Sequence, residues 1–175
     1  MTTRPLTRYD HSMLRVMNDR RGRPLYATAA HRRSVVAAHL VLTAVIGALM
    51  AYMSLTEGKP IWAVVVMLVL LLPWMVATGA INAATRGLLE LRGRALDERQ
   101  LIERARVQAR AHQVMTLLLA ATAAGLLIAG ATAGHALTAY AAPALIAVPA
   151  VHWLMPLWVA GLMAQDEAAE DDAAV

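Results

Sequence analysis

Two histidines and one short acidic–basic run are the groups in this chain whose types and spacing could do chemistry. His39 lies about one turn into a long apolar segment. His152 lies deeper in another, beside Trp153 and between Pro149 and Pro156. An imidazole inside an apolar segment is a functional candidate by default, and a pair from two helices could ligate haem iron or another metal. No carboxylate occurs in any of the apolar segments to orient such a pair, so a hydrogen-bonded structural histidine is the favoured reading. Neither a cofactor nor a metal is therefore expected. Cysteine is absent, which excludes disulfides, thiol catalysis, iron–sulfur ligation and thiolate zinc sites.

The acidic–basic run is Leu96-Asp97-Glu98-Arg99-Gln100, followed by Glu103 and Arg106. Asp97 can cap a helix while Gln100, three residues on, reaches back to complete a capping box. Glu98 adds negative charge to the first turn, where the helix dipole favours it. Leu101, Ile102, Ala105 and Ala109 fall on one face at helical spacing, away from Arg99, Glu103, Arg106 and Arg110. Pairs Arg99–Glu103 and Glu103–Arg106 would add a few tenths of a kcal/mol each. Nothing stops this helix before the next apolar segment, so one helix from about Glu98 to Ala133 is predicted. Upstream, Gly93 is the expected stop for a helix arriving from the preceding segment. Capping and ion pairing account for the motif by themselves. Its functional reading is a docking surface made of Asp97, Glu98, Arg99, Glu103 and Arg106. No nucleophile, phosphate-cradling loop or metal-ligand spacing accompanies it, so an enzyme is not expected.

The elements that position these groups follow from hydropathy. Of 175 residues, 59% are hydrophobic and 16% charged, and the apolar ones are gathered into four long runs. A spanning helix needs roughly 20 mainly apolar residues. The expected fold is an all-α integral membrane protein: a four-transmembrane-helix bundle with the third helix extended into the cytoplasm. Its domains read as a basic cytoplasmic tail at 1–33 and a transmembrane domain at 34–164. An acidic tail follows at 165–175. Spans are expected at about 34–56, 61–84, 114–133 and 139–164, with a cytoplasmic connection at 85–113. The basic N-terminal segment is longer than that of a signal peptide and is read as retained. Residues 12–20 within it could form one short helix.

Orientation follows from the excess of arginine and lysine in cytoplasmic loops. The N-terminal segment holds eight arginines and the central connection seven, whereas the two other turns share one lysine. Both basic segments fall on the same side of a four-span chain, so both termini are expected in the cytoplasm of a bacterial inner membrane. Plentiful Ala and Arg suit a GC-rich bacterial genome. Each outer turn has only a handful of residues, so function must reside in the bilayer or on the cytoplasmic face.

Within the spans, Ala121, Gly125 and Ala129 stand at four-residue spacing, a pattern that lets helices approach closely. Contact inside this bundle is favoured over a dimer interface. Kinks are expected at Pro73, Pro149 and Pro156, each of which removes a helical hydrogen bond that lipid cannot replace. Trp62, Trp158, Tyr52 and Tyr140 lie near span ends, as aromatic belts do.

A span pair, then Leu-Asp-Glu-Arg-Gln opening an amphipathic helix, then a second span pair, resembles a group of small uncharacterised bacterial four-helix membrane proteins. In that group a similar Asp-Glu-Arg motif opens the third helix. The likeness covers the overall plan and residues 96–109. It implies the layout and no activity, and the arginine-rich N-terminal segment is not part of it.

Charge suggests partners. The N-terminal segment is +6 (eight Arg less Asp10 and Asp19), the connection +3 (seven Arg less four acids) and the C-terminal tail −5. Juxtamembrane arginines such as Arg32, Arg33 and Arg86 attract anionic lipid headgroups by about 1 kcal/mol each. Arg20, Arg21, Arg23, Arg32 and Arg33 are the expected N-terminal contacts to a protein partner in the membrane or cytoplasm. Nucleic acid is not an expected partner, since no binding module accompanies the charge. The leading expectation is thus a non-enzymatic accessory or regulatory subunit, docking through the N-terminal segment and the central helix. A small homo-oligomeric transporter or channel is the first alternative. A haem- or quinone-binding redox subunit using His39 and His152 is the second.

Overall fold

In a computed structural model, five α-helices account for nearly all of the described residues, which are 6–17, 24, 26–56, 60–133 and 137–164. They are α1 (Arg8–Met17), α2 (Ala29–Leu55), α3 (Ile61–Ala84), α4 (Glu98–Ala133) and α5 (Leu137–Met163), with a 3-10 turn at Gly93–Ala95. No strand occurs among the described residues. Four helices are long and apolar enough to cross a membrane, over Ala29–Ser54, Ile61–Ala84, Glu98–Ile128 and Leu145–Met163. Large apolar side chains such as Leu72, Leu117 and Leu127 are exposed on the outside of these helices.

Helix boundaries follow from local chemistry. Thr7 Oγ1 accepts a bond from the Asp10 backbone N–H at 3.4 Å, while Asp10 Oδ2 accepts from the Thr7 N–H at 2.8 Å. This capping box starts α1 earlier than residue 12, where the sequence suggested a start. α2 likewise begins at Ala29, five residues before the expected span, because Thr28 caps it by accepting from the His31 N–H at 3.2 Å. Reciprocal bonds between Asp97 and Gln100, at 3.0 and 2.7 Å, open α4. From there α4 runs unbroken for 36 residues.

The expected extension of α3 to Gly93 does not occur. α3 ends at Ala84, where the Gly87 N–H donates to Asn82 O and the Arg86 N–H to Ala83 O. These are the two bonds of a Schellman cap, with Arg86 and Gly87 both left-handed at φ 51 and 69°. An arginine at the left-handed position is uncommon, so the sequence hid this stop. α3 and α5 continue as helices through Pro73, Pro149 and Pro156.

α5 is the central helix, packing against α2, α3 and α4, while α2 also packs along α3. Their shared core joins Val36, Ile81, Leu88, Val107, Ala111, Met115 and a run of α5 from Leu154 to Ala160. It lies at the end of the bundle where α2 starts and α3 and α5 finish, which is also the arginine-rich end. Contact is tight at Gly161: a Cβ there would meet Val36 Cγ2 at 2.8 Å and Ile81 Cγ2 at 2.9 Å.

Candidate functional site

Two polar constructions stand out, one inside the helix bundle and one at its basic end. The first centres on His39 of α2, which is 0% exposed. Trp158 of α5 donates its indole N–H to His39 Nδ1 at 2.8 Å. An indole can only donate, so Nδ1 is the unprotonated nitrogen and Nε2 carries the proton. Nε2 donates in turn to Thr78 Oγ1 of α3 at 2.9 Å, and that hydroxyl donates to the Trp74 carbonyl. Trp74 Nε1 donates to Thr43 Oγ1 at 2.9 Å, and the Thr43 hydroxyl donates to the His39 carbonyl. Rings reinforce the link: His39 and Trp74 lie 4.8 Å apart, tilted by 35°, and His39 meets Trp158 edge-on at 6.1 Å.

Every donor in this network has an acceptor, and three helices are tied by side chains alone. Polar groups in an apolar interior specify one arrangement when all of them are satisfied. Both ring nitrogens of His39 are engaged within the chain. His152, its expected companion for haem or metal, lies on the outside of α5, exposed and apart from this network. The two histidines are not brought together. Among the described residues, no three His, Asp or Glu side chains gather at one place. Trp158, read from sequence as a belt residue, is instead a buried partner of His39.

The second construction is a platform formed by α1, the α3–α4 connection and the start of α4. Met17 at the end of α1 sits on Gly87, where a Cβ would lie 2.6 Å from Met17 Cγ. Arg92 stacks over the Tyr9 ring at 4.9 Å, a cation–π contact. From α4, Arg104 Nη1 donates to the Leu91 carbonyl at 2.9 Å. Leu88, Leu91 and Leu96 turn inward beneath the connection. α1 is therefore docked on the chain's own connection.

The predicted docking residues divide on this platform. Arg20, Arg21 and Arg23 lie outside the described residues. Arg32 is 6% exposed, with its guanidinium donating to Ala164 O at 2.8 Å and to Tyr26 O at 3.3 Å. It thereby neutralises the C-terminal carbonyls of α5, where a cation is favoured by the helix dipole. Arg33, Asp97, Glu98, Arg99 and Arg106 are exposed, and Glu103 is half-buried. No ion pair joins Arg99, Glu103 and Arg106.

The buried face of α4 also differs from expectation. Val107, Ala111 and Met115 point into the core, with Arg104 beside them. Leu101, Ile102, Ala105 and Ala109 are exposed on the opposite side. Two apolar stripes fit the same helical period here. The connection selects the one that lets Arg104 reach Leu91, a choice that depends on tertiary contact. In the small-residue pattern of α4, Gly125 has nothing within 4 Å of a Cβ position among the described residues.

No protein-family model matches this chain, and no curated protein or solved structure shows significant similarity to it.

Proposed function

We propose that the chain is a non-enzymatic accessory or regulatory subunit of a larger bacterial membrane complex, with both termini in the cytoplasm. It docks through a basic cytoplasmic surface built from α1, the 85–113 connection and the first turns of α4. Supporting this reading is one observation above the rest: α1 is anchored on the connection by the Met17–Gly87 and Tyr9–Arg92 contacts. A preformed surface lowers the ordering cost that a partner would otherwise meet on binding. Arg99, Arg106 and Arg110 are exposed on one face of α4, and Ile102 and Ala109 are exposed on the face beside it. Mixed apolar and guanidinium surfaces are favoured at protein interfaces.

Orientation rests on the arginine asymmetry, since all the arginines fall in segments on one side of a four-span arrangement. In that frame the first 16 residues of α4, about 24 Å of helix, stand outside the hydrocarbon core. Anionic headgroups are the natural secondary partners of the same arginines.

The test is extraction in mild detergent from the native membrane with a small C-terminal tag, followed by mass spectrometry of what co-purifies. A stoichiometric heterologous partner, lost in the Arg99→Glu/Arg106→Glu variant, is the expected outcome. Recovery of this chain alone, with or without those substitutions, would refute the reading.

A further inference from the structure

The outward face of α5 carries polar groups that the chain does not satisfy. His152 and Trp153 are both exposed, Trp153 by 73%, and neither makes a hydrogen bond. His152 stands about 16 Å from the Met163 end of the helix and about 22 Å from the Leu137 end, at roughly 1.5 Å per residue. In a spanning helix that is close to the bilayer midplane. Pro149 and Pro156 compound the deficit, because each withholds the N–H that the carbonyl four residues earlier requires. The carbonyls left over are those of Leu145 and His152 itself.

At about 100° per residue, positions 145, 149, 152, 153 and 156 share one sector of α5 roughly 100° wide. Trp158, which faces His39, lies on the opposite side. Lipid offers these groups no donor or acceptor, and an ionisable side chain at mid-bilayer depth is costly wherever it lacks a partner. Another polypeptide must therefore cover this sector.

We propose that the covering polypeptide is a second copy of the chain, packed α5 against α5 about a two-fold axis. Trp153 of each copy donates its indole N–H to the partner subunit's His152. A two-fold interface sets one surface against itself, so it must be self-complementary. This one is. The indole is a pure donor, and a neutral imidazole has one accepting nitrogen and one N–H. Two copies thus supply an acceptor for each indole, and they leave each imidazole N–H free to donate to a carbonyl released by a proline. The chain already uses the same tryptophan-to-histidine pairing between helices, at 2.8 Å from Trp158 to His39. This proposal stands apart from the docking role of the basic surface, which lies at the end of the bundle.

The chain has no cysteine, so single-cysteine variants report on this face without background. Leu145→Cys and Ile146→Cys lie at its outer part, and Val69→Cys is an exposed control on α3. Oxidation in native membranes with copper phenanthroline is expected to link the α5 variants into dimers and to leave Val69→Cys monomeric. Mass measurement in lipid nanodiscs is expected to give two 18.8 kDa chains per particle for the wild type. His152→Leu and Trp153→Leu are each expected to weaken that dimer roughly tenfold while leaving the helical circular dichroism unchanged. Three outcomes would overturn the proposal: monomers with no α5 cross-link, α5 cross-links only to a different protein, or a dimer indifferent to both leucine substitutions. The cross-links are read with His152 and Trp153 intact, so they stand even if a leucine variant folds poorly.

Discussion

Replacing His39 with leucine tests whether the three-helix network holds the bundle together. The substitution keeps the volume nearly constant and removes two bonds, those to Trp158 Nε1 and Thr78 Oγ1. Side-chain hydrogen bonds between membrane helices average about 0.6 kcal/mol each and reach about 1.7 kcal/mol. Thr78 loses only an incoming bond, because its own proton still goes to the Trp74 carbonyl. Trp158 is left worse off: its indole N–H becomes a buried donor without an acceptor, which costs about 1–3 kcal/mol. His39→Leu should therefore destabilise the bundle by about 2–4 kcal/mol. Trp158→Phe alone should cost less per bond lost, plus a term for the smaller ring. In the double variant no orphaned donor remains, so its loss should fall short of the sum of the single losses by about 1–2 kcal/mol. The assay is reversible unfolding in mixed detergent micelles, followed by far-ultraviolet circular dichroism. A His39→Leu protein as stable as wild type, or strictly additive double-variant losses, would refute the network's role.

Two further substitutions probe the remaining joints. Gly87→Ala places a Cβ at a left-handed residue and 2.6 Å from Met17 Cγ, so α1 should lift from the connection. Trypsin should then cut the N-terminal segment several-fold faster, with partial rescue by Met17→Ala, and an unchanged digestion rate would contradict the contact. Gly161→Ala brings a methyl to within 2.8 Å of Val36 and 2.9 Å of Ile81. Overpacking of this kind typically costs about 1–3 kcal/mol, so the unfolding midpoint should fall, and a neutral result would mean that α5 does not press on α2 and α3 there.

Much of the architecture was legible because it is written in local terms. Four long apolar runs gave four apolar helices, and the Asp97–Gln100 spacing gave the reciprocal cap that opens α4. The start of α1 carries a similar signal in Thr7 and Asp10, with aspartate in place of the usual glutamate or glutamine. What the sequence withheld is tertiary. His39 could be singled out as a polar group in an apolar run, yet nothing local indicates that Trp158, 119 residues away, supplies its proton donor. Arg32 resembled every other juxtamembrane arginine until the end of α5 was placed beside it. The buried stripe of α4 was ambiguous for a related reason, since Val107, Ala111 and Met115 share the helical period of the exposed Leu101, Ala105 and Ala109.

The basic surface is proposed as a docking site that faces the cytoplasm. Site-specific photocross-linking in living cells tests that claim most directly, with a benzophenone side chain placed singly at Arg99, Arg106 or Arg110. Leu72 and Leu127, exposed on the apolar helices α3 and α4, serve as controls. The prediction is one discrete adduct with a heterologous protein from the three α4 positions and none from the controls. Adducts with lipid alone, or the same pattern from all five positions, would contradict it.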